Sequence, residues 1–198
     1  MSWPNRITVL RLLLVTPFIV LLLGAADHAG YRYAAMVLAI LMGVSDSADG
    51  IIARRTGAVT RVGSLLDPLA DYALMISALV TMSIPGILDK DPEVRLPVWV
   101  SVTLVSRSVF MLVGTVVLFL LVGFFQGLPS LSGKAATVMQ FVTVVTMCAV
   151  PDLLPLAPDA TWTALQIIWG VTVGLGVISW LGYLRTGSKV LASHGHAS

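Results

Sequence analysis

Residues 97–124 read PVWVSVTLVSRSVFMLVGTVVLFLLVGF. The run exceeds the roughly 20 apolar residues that carry a helix across a bilayer. It holds a single charge, Arg107. Five further apolar stretches accompany it, at about residues 7–24, 33–53, 63–85, 134–152 and 162–184. The whole chain has 198 residues, 57% hydrophobic and 11% charged, with a mean hydropathy of +0.94. Soluble domains carry about 25% charged residues, so a soluble chain of this composition would lack the polar surface to cover itself. The expected fold is all-α: an integral membrane bundle of six transmembrane helices, with a short interfacial N-terminal segment, forming a single domain over 1–198. Arg6 ahead of an apolar run could suggest a leader. The continuation LLLGAAD lacks a clean cleavage pattern, and the first stretch is read as a span.

Charge placement orients the bundle. With the N-terminus inside, Arg6, Arg54, Arg55, Arg61, Lys134, Arg185 and Lys189 fall on the inner side, and Arg32, Lys90 and Arg95 on the outer. The excess of Lys and Arg favours N-in, C-in. The net charge of +2 is small, and no nucleic-acid partner is expected. The lone cysteine, Cys148, excludes an intrachain disulfide. The tryptophans suit interfacial belts.

Six acids, Asp27, Asp89, Asp91, Glu93, Asp152 and Asp159, fall in or beside outer loops. The other four gather in residues 46–71, DSADGIIARRTGAVTRVGSLLDPLAD, where span two leaves the bilayer and span three re-enters. Asp46 and Asp49 stand at i, i+3, and Asp67 and Asp71 at i, i+4, so each pair shares a helical face. Helices joined by a short loop are usually antiparallel neighbours, and the two acidic faces can meet. Ionised together in low dielectric, four carboxylates repel. They either share protons or bind cations. Hard oxygen donors with nothing soft nearby suit Mg²⁺, Mn²⁺ or Ca²⁺. Four of them can hold two ions, as in clamps on in-line phosphoryl displacement.

Nearby residues fit a phosphate ligand. Gly50 and Ala53 keep the helix surface open beside Asp49, and Arg54 adds a planar guanidinium on nearly the same face. Thr60 and Arg61 add a hydroxyl and a charge in the loop, and Gly63 opens the next span. A cation transporter or proton relay would also explain intramembrane acids. It would not explain Gly50, Ala53, Arg54 and Gly63 at these gaps, and it predicts acids spread over several spans.

The pattern Asp46-x2-Asp49-Gly50-x2-Ala53-Arg54-x8-Gly63-x3-Asp67-x3-Asp71 resembles the full signature of the CDP-alcohol phosphotransferase family. The resemblance implies transfer of a phosphatidyl or phospho-alcohol group from a CDP-linked donor to a hydroxyl acceptor, with release of CMP. It implies two divalent ions, Mg²⁺ or Mn²⁺: Asp46, Asp49 and Asp67 around one, Asp49, Asp67 and Asp71 around the other. Asp71 would also be the general base. Gly50, Ala53, Arg54, Thr60 and Gly63 would line the CDP part, and a homodimer is implied.

Three further elements resemble the phosphatidylglycerophosphate synthase and cardiolipin synthase branch. They are PNRITVLR at the start, TRVGSLLDPLAD, and Gly133-Lys134-x2-Thr137-x2-Gln140. That branch implies CDP-diacylglycerol as donor, with Asn5 and Thr8 near the nucleotide. Glycerol 3-phosphate is the implied acceptor; phosphatidylglycerol or inositol phosphate is the alternative. Two positions depart from the branch: Tyr72 stands where Lys is usual, and Ser106-Arg107-Ser108 where Ala-Arg-Glu is usual. Arg107, about 15 Å along its span and so near mid-bilayer, reads either as an acceptor-phosphate contact or as a structural pair with an interhelical carbonyl. Lys134 reads as an acceptor contact or a marker of the inner side, and Arg11 as a snorkelling anchor or a site residue. The expected location is a bacterial plasma membrane, with the site facing the cytoplasm.

Overall fold

The computed structural model describes residues 3–56, 63–122 and 131–195, with side chains for 9–45, 68–117, 119–120 and 131–184. The helices are α1 (Trp3–Leu23), α2 (Ala29–Thr56), α3 (Gly63–Met82), α4 (Val98–Val122), α5 (Leu131–Leu153) and α6 (Pro158–Gly195). Among the described residues there is no strand. The all-α expectation holds, and each apolar stretch has become one helix. The bounds differ where polar residues are good helix formers or caps. α2 begins at Ala29, and α6 continues past 184 to Gly195. The segment expected at the interface is continuous with α1.

Prolines mark several helix starts. Pro97 O accepts from Val100 N and Ser101 N to open α4. Pro158 begins α6, where a missing N–H costs nothing. Pro68 lies in the first turns of α3, where the ring is tolerated.

The helices close into a ring, α1–α2–α5–α6–α4–α3 and back to α1, with α3 also touching α5 across the middle. The apolar core shows how they are directed. It gathers Phe18 and Leu22 of α1, Ala35 and Ala39 of α2, and Leu79 and Met82 of α3. Val100 and Leu104 of α4, Met147 and Val150 of α5, and Leu165 and Trp169 of α6 complete it. These are the C-terminal halves of odd-numbered helices and the N-terminal halves of even-numbered ones, so successive helices alternate in direction. The same end is tied by an ion pair between Arg32 Nη2 of α2 and Asp152 Oδ1 of α5, 2.6 Å long. The α3–α4 connection folds inward there: Leu88, Val94 and Leu96 are buried, and Leu96 N donates to Met82 O at 2.8 Å. Gly86, at φ 76°, takes the left-handed turn that this path needs.

Among the described residues, three helical segments are long and apolar enough to cross a membrane: Val98–Val117, Leu131–Leu153 and Pro158–Leu184. Shorter apolar segments are Val9–Leu23, Ala29–Ser45 and Pro68–Met82. Outward-facing Leu13, Val20, Leu41, Val44, Val102 and Val113 are well exposed, as lipid contact requires. The chain is an integral membrane protein. Trp169 departs from the interfacial expectation. It is 4% exposed and packs edge-on to Trp162, with centroids 6.5 Å apart, inside the core.

Candidate active site

The site is built at the opposite end from the apolar core. α2 is an unbroken helix through Thr56, so Asp46, Asp49, Gly50, Ala53 and Arg54 follow the i, i+3, i+4, i+7, i+8 spacing of a single face. α3 places Gly63, Asp67 and Asp71 at i, i+4, i+8, again one face. α2 and α3 share both flanking neighbours, α1 on one side and α5 on the other. The acidic faces expected to meet carry side chains that, Asp71 excepted, lie outside the described ones. The side chains of Asn5, Thr8, Asp46, Asp49, Gly50, Ala53, Arg54, Gly63 and Asp67 lie outside the described ones, as does Thr60 altogether. The donor set is all carboxylate, carried on two helices that both pack against α1 and α5. That chemistry fits Mg²⁺ or Mn²⁺.

Asp71 and Tyr72 are half-buried on α3, and the Asp71 carboxylate lies in electrostatic reach of Arg107 of α4. Arg107 is 7% exposed, so its charge lies within the bundle rather than in lipid. Its Nη1 donates to Gln140 Oε1 of α5 at 3.0 Å, and its Nη2 reaches Ser179 Oγ of α6 at 3.5 Å. Its Nε has no hydrogen-bond partner among the described residues. Gly176 permits this packing: a Cβ there would lie 3.3 Å from Arg107 Cδ. Gln140 Nε2 donates onward to Ser108 Oγ at 3.3 Å. Two α5–α6 threonines, Thr143 and Thr172, meet nearby along the helix at 3.0 Å. These two hydrogen bonds of the buried guanidinium go to neutral acceptors, with the Asp71 carboxylate in electrostatic reach, and part of its donor capacity is left for an anion.

The remaining candidates separate. Lys134 is exposed on the first turn of α5. It precedes Gln140 by about 9 Å of helical rise on the same helix. Arg11 is 4% exposed and heads the buried stripe Arg11, Val15, Phe18, Leu22 of α1. It does not snorkel to the membrane surface; it is inside the bundle. Ser179 and Tyr183 were not singled out by sequence reasoning. The Tyr183 ring fills the space left by Gly114, where a Cβ would lie 2.7 Å from it. The signal that could find them is helical spacing from the glycines of α6.

The CDP-alcohol phosphatidyltransferase family model matches residues 1–178, and the chain belongs to that family. It is 31% identical over 182 residues to a Mycobacterium tuberculosis protein named probable phosphatidylglycerophosphate synthase, covering 91% of this chain and 78% of that one. It is 34% identical over 114 residues to the cardiolipin synthase (CMP-forming) of Streptomyces coelicolor, covering 56% and 48%. A CDP-diacylglycerol–glycerol-3-phosphate 3-phosphatidyltransferase of Bacillus subtilis is 30% identical over 115 residues, covering 53% and 55%.

Proposed function

We propose that this membrane enzyme transfers the phosphatidyl group of CDP-diacylglycerol to the primary hydroxyl of glycerol 3-phosphate, forming phosphatidylglycerol phosphate and CMP. The observation that carries the choice of acceptor is Arg107: a buried cation whose hydrogen bonds go to the neutral Gln140 and Ser179, in electrostatic reach of the candidate base Asp71. An acceptor that brings its own phosphate supplies a hydrogen-bonded anion for the guanidinium edge that Gln140 and Ser179 do not occupy. Family membership and the names of the relatives support the donor and the reaction.

Asp46, Asp49, Asp67 and Asp71 would hold two divalent ions, which supply charge neutralisation at the donor diphosphate. Asn5, Thr8, Gly50, Ala53, Arg54, Thr60 and Gly63 would bind the CDP moiety. Arg107 orients the acceptor, and Asp71 takes the proton of its hydroxyl. The acceptor oxygen forms a bond to the phosphatidyl phosphorus as the bond from that phosphorus to the CMP oxygen breaks, and CMP leaves with the electron pair. The bundle lies N-in, C-in with six spans, and the site opens to the cytoplasm of a bacterial plasma membrane. A homodimer is its assembly.

The second reading is phosphatidylglycerol as acceptor, giving cardiolipin. It is favoured by the Streptomyces coelicolor relative, and its phosphodiester is also anionic. One assay separates the readings. Purified protein receives labelled CDP-diacylglycerol, Mg²⁺ or Mn²⁺, and glycerol 3-phosphate, phosphatidylglycerol, inositol phosphate, inositol or serine. The lipid product is identified by mass. CMP release is expected only with a divalent ion and an anionic acceptor, best with glycerol 3-phosphate, and lost with a chelator. Turnover with inositol or serine alone would reject the proposal.

A further inference from the structure

The hydrogen bonds around Arg107 have a direction. The Ser108 hydroxyl donates to Leu104 O, the carbonyl one turn back on its own helix, at 2.9 Å. A hydroxyl has one proton, so Ser108 Oγ can only accept from Gln140. Gln140 therefore turns its amide nitrogen to Ser108, at 3.3 Å, and its amide oxygen to Arg107, at 3.0 Å. The reversed amide would set N–H groups against a cation and leave a carbonyl oxygen facing the Ser108 lone pairs. Gln140 and Ser108 are each 1% exposed, so bulk solvent relieves neither fault. Ser108 thus decides which end of the amide Arg107 meets.

A neutral amide suits this role. A carboxylate at position 140 would hold Nη1 equally well but would cancel the Arg107 charge. The amide fixes one edge of the guanidinium fork without adding a second carboxylate to that of Asp71. We propose that Gln140 is a positioning residue for the acceptor half of the reaction, with Ser108 setting the sense of its amide, so that Arg107 meets an anionic acceptor in one orientation. The inference rests on the reading of Arg107 as the acceptor's contact.

The test is a double-mutant cycle in the purified full-length protein, with CDP-diacylglycerol and glycerol 3-phosphate each varied. Gln140→Leu raises the acceptor KM by on the order of tenfold and leaves the donor KM as it was. Ser108→Ala, which removes one oxygen and keeps the helix, raises the acceptor KM in the Gln140 protein. In a Gln140→Glu background both oxygens accept, no orientation remains to be set, and Ser108→Ala no longer raises it. An equal Ser108→Ala effect in the two backgrounds overturns the orientation argument. Glycerol 3-phosphate turnover with an unchanged acceptor KM in Gln140→Leu overturns the positioning role alone. A wild-type protein that uses only uncharged alcohols overturns the proposed function, and this inference with it. Where Gln140→Leu does not fold, Ser108→Ala in the two polar backgrounds decides.

Discussion

Asp71 ends the acidic set and lies in electrostatic reach of Arg107. Its position joins the two halves of the proposed chemistry, proton removal and acceptor binding. Asp71→Asn keeps the shape and removes the basic oxygen. CMP release should fall by about 10²–10⁴, measured at saturating acceptor, and unchanged turnover would remove Asp71 from the role of base. Arg107→Ala removes the buried cation instead. It should raise the acceptor KM by on the order of tenfold to a hundredfold, the worth of charged hydrogen bonds, while the donor KM stays level. A matching rise in both constants would assign Arg107 to packing. The aspartates were legible in the sequence because their spacing alone puts them on helical faces. Gln140 was legible only as part of a motif, because its value lies in contacts to Ser108 and Arg107, 32 and 33 residues away. Arg11 misled as a terminal arginine in an apolar run; only packing shows it enclosed.

At the level of elements, apolar length announced the helices, but not that α6 begins at Pro158, four residues ahead of its apolar stretch. The connection between α3 and α4 was not legible. Its buried Leu88, Val94 and Leu96 follow no helical or strand period, being placed by a folded loop. Nor was the stitch between α2 and α5, since Arg32 and Asp152 are 120 residues apart. Arg32 is nearly enclosed, and its ring neighbour Tyr33 lies 5.3 Å from the guanidinium carbon. Asp152→Ala strands that cation. Loss of a buried partner costs about 3–5 kcal/mol; Asp152 is 43% exposed, so solvent reduces the loss to roughly 1–3 kcal/mol. Thermal unfolding in detergent should show it as a lower Tm, and Arg32→Met with Asp152→Leu should recover most of the difference. A single variant as stable as the parent would make the pair a surface contact without structural worth.

The whole molecule divides along its long axis. Apolar packing fills one end, and Arg107 with its amide and hydroxyl partners occupies the middle, towards the end that carries the four aspartates of residues 46–71. Alternating helix direction brings this about: residues far apart in sequence, such as Leu22 and Leu165, share the packed end. The proposed orientation puts that packed end outside and the acidic end at the cytoplasm, so that a water-soluble acceptor made in the cell reaches Asp71 directly. Cysteine labelling tests it. Cys148 is the only native cysteine and is fully buried, so it should stay silent toward an impermeant maleimide in the folded protein. Asp91→Cys places a thiol on the exposed α3–α4 connection, and Leu131→Cys places one at the start of α5, 85% exposed at the other end. With N-in, C-in orientation, intact cells label Asp91→Cys and not Leu131→Cys, and inverted vesicles reverse the pattern. The opposite result would turn the bundle over and put the aspartates outside, where neither a nucleotide-linked lipid made within the cell nor a cytosolic phosphate ester could reach them.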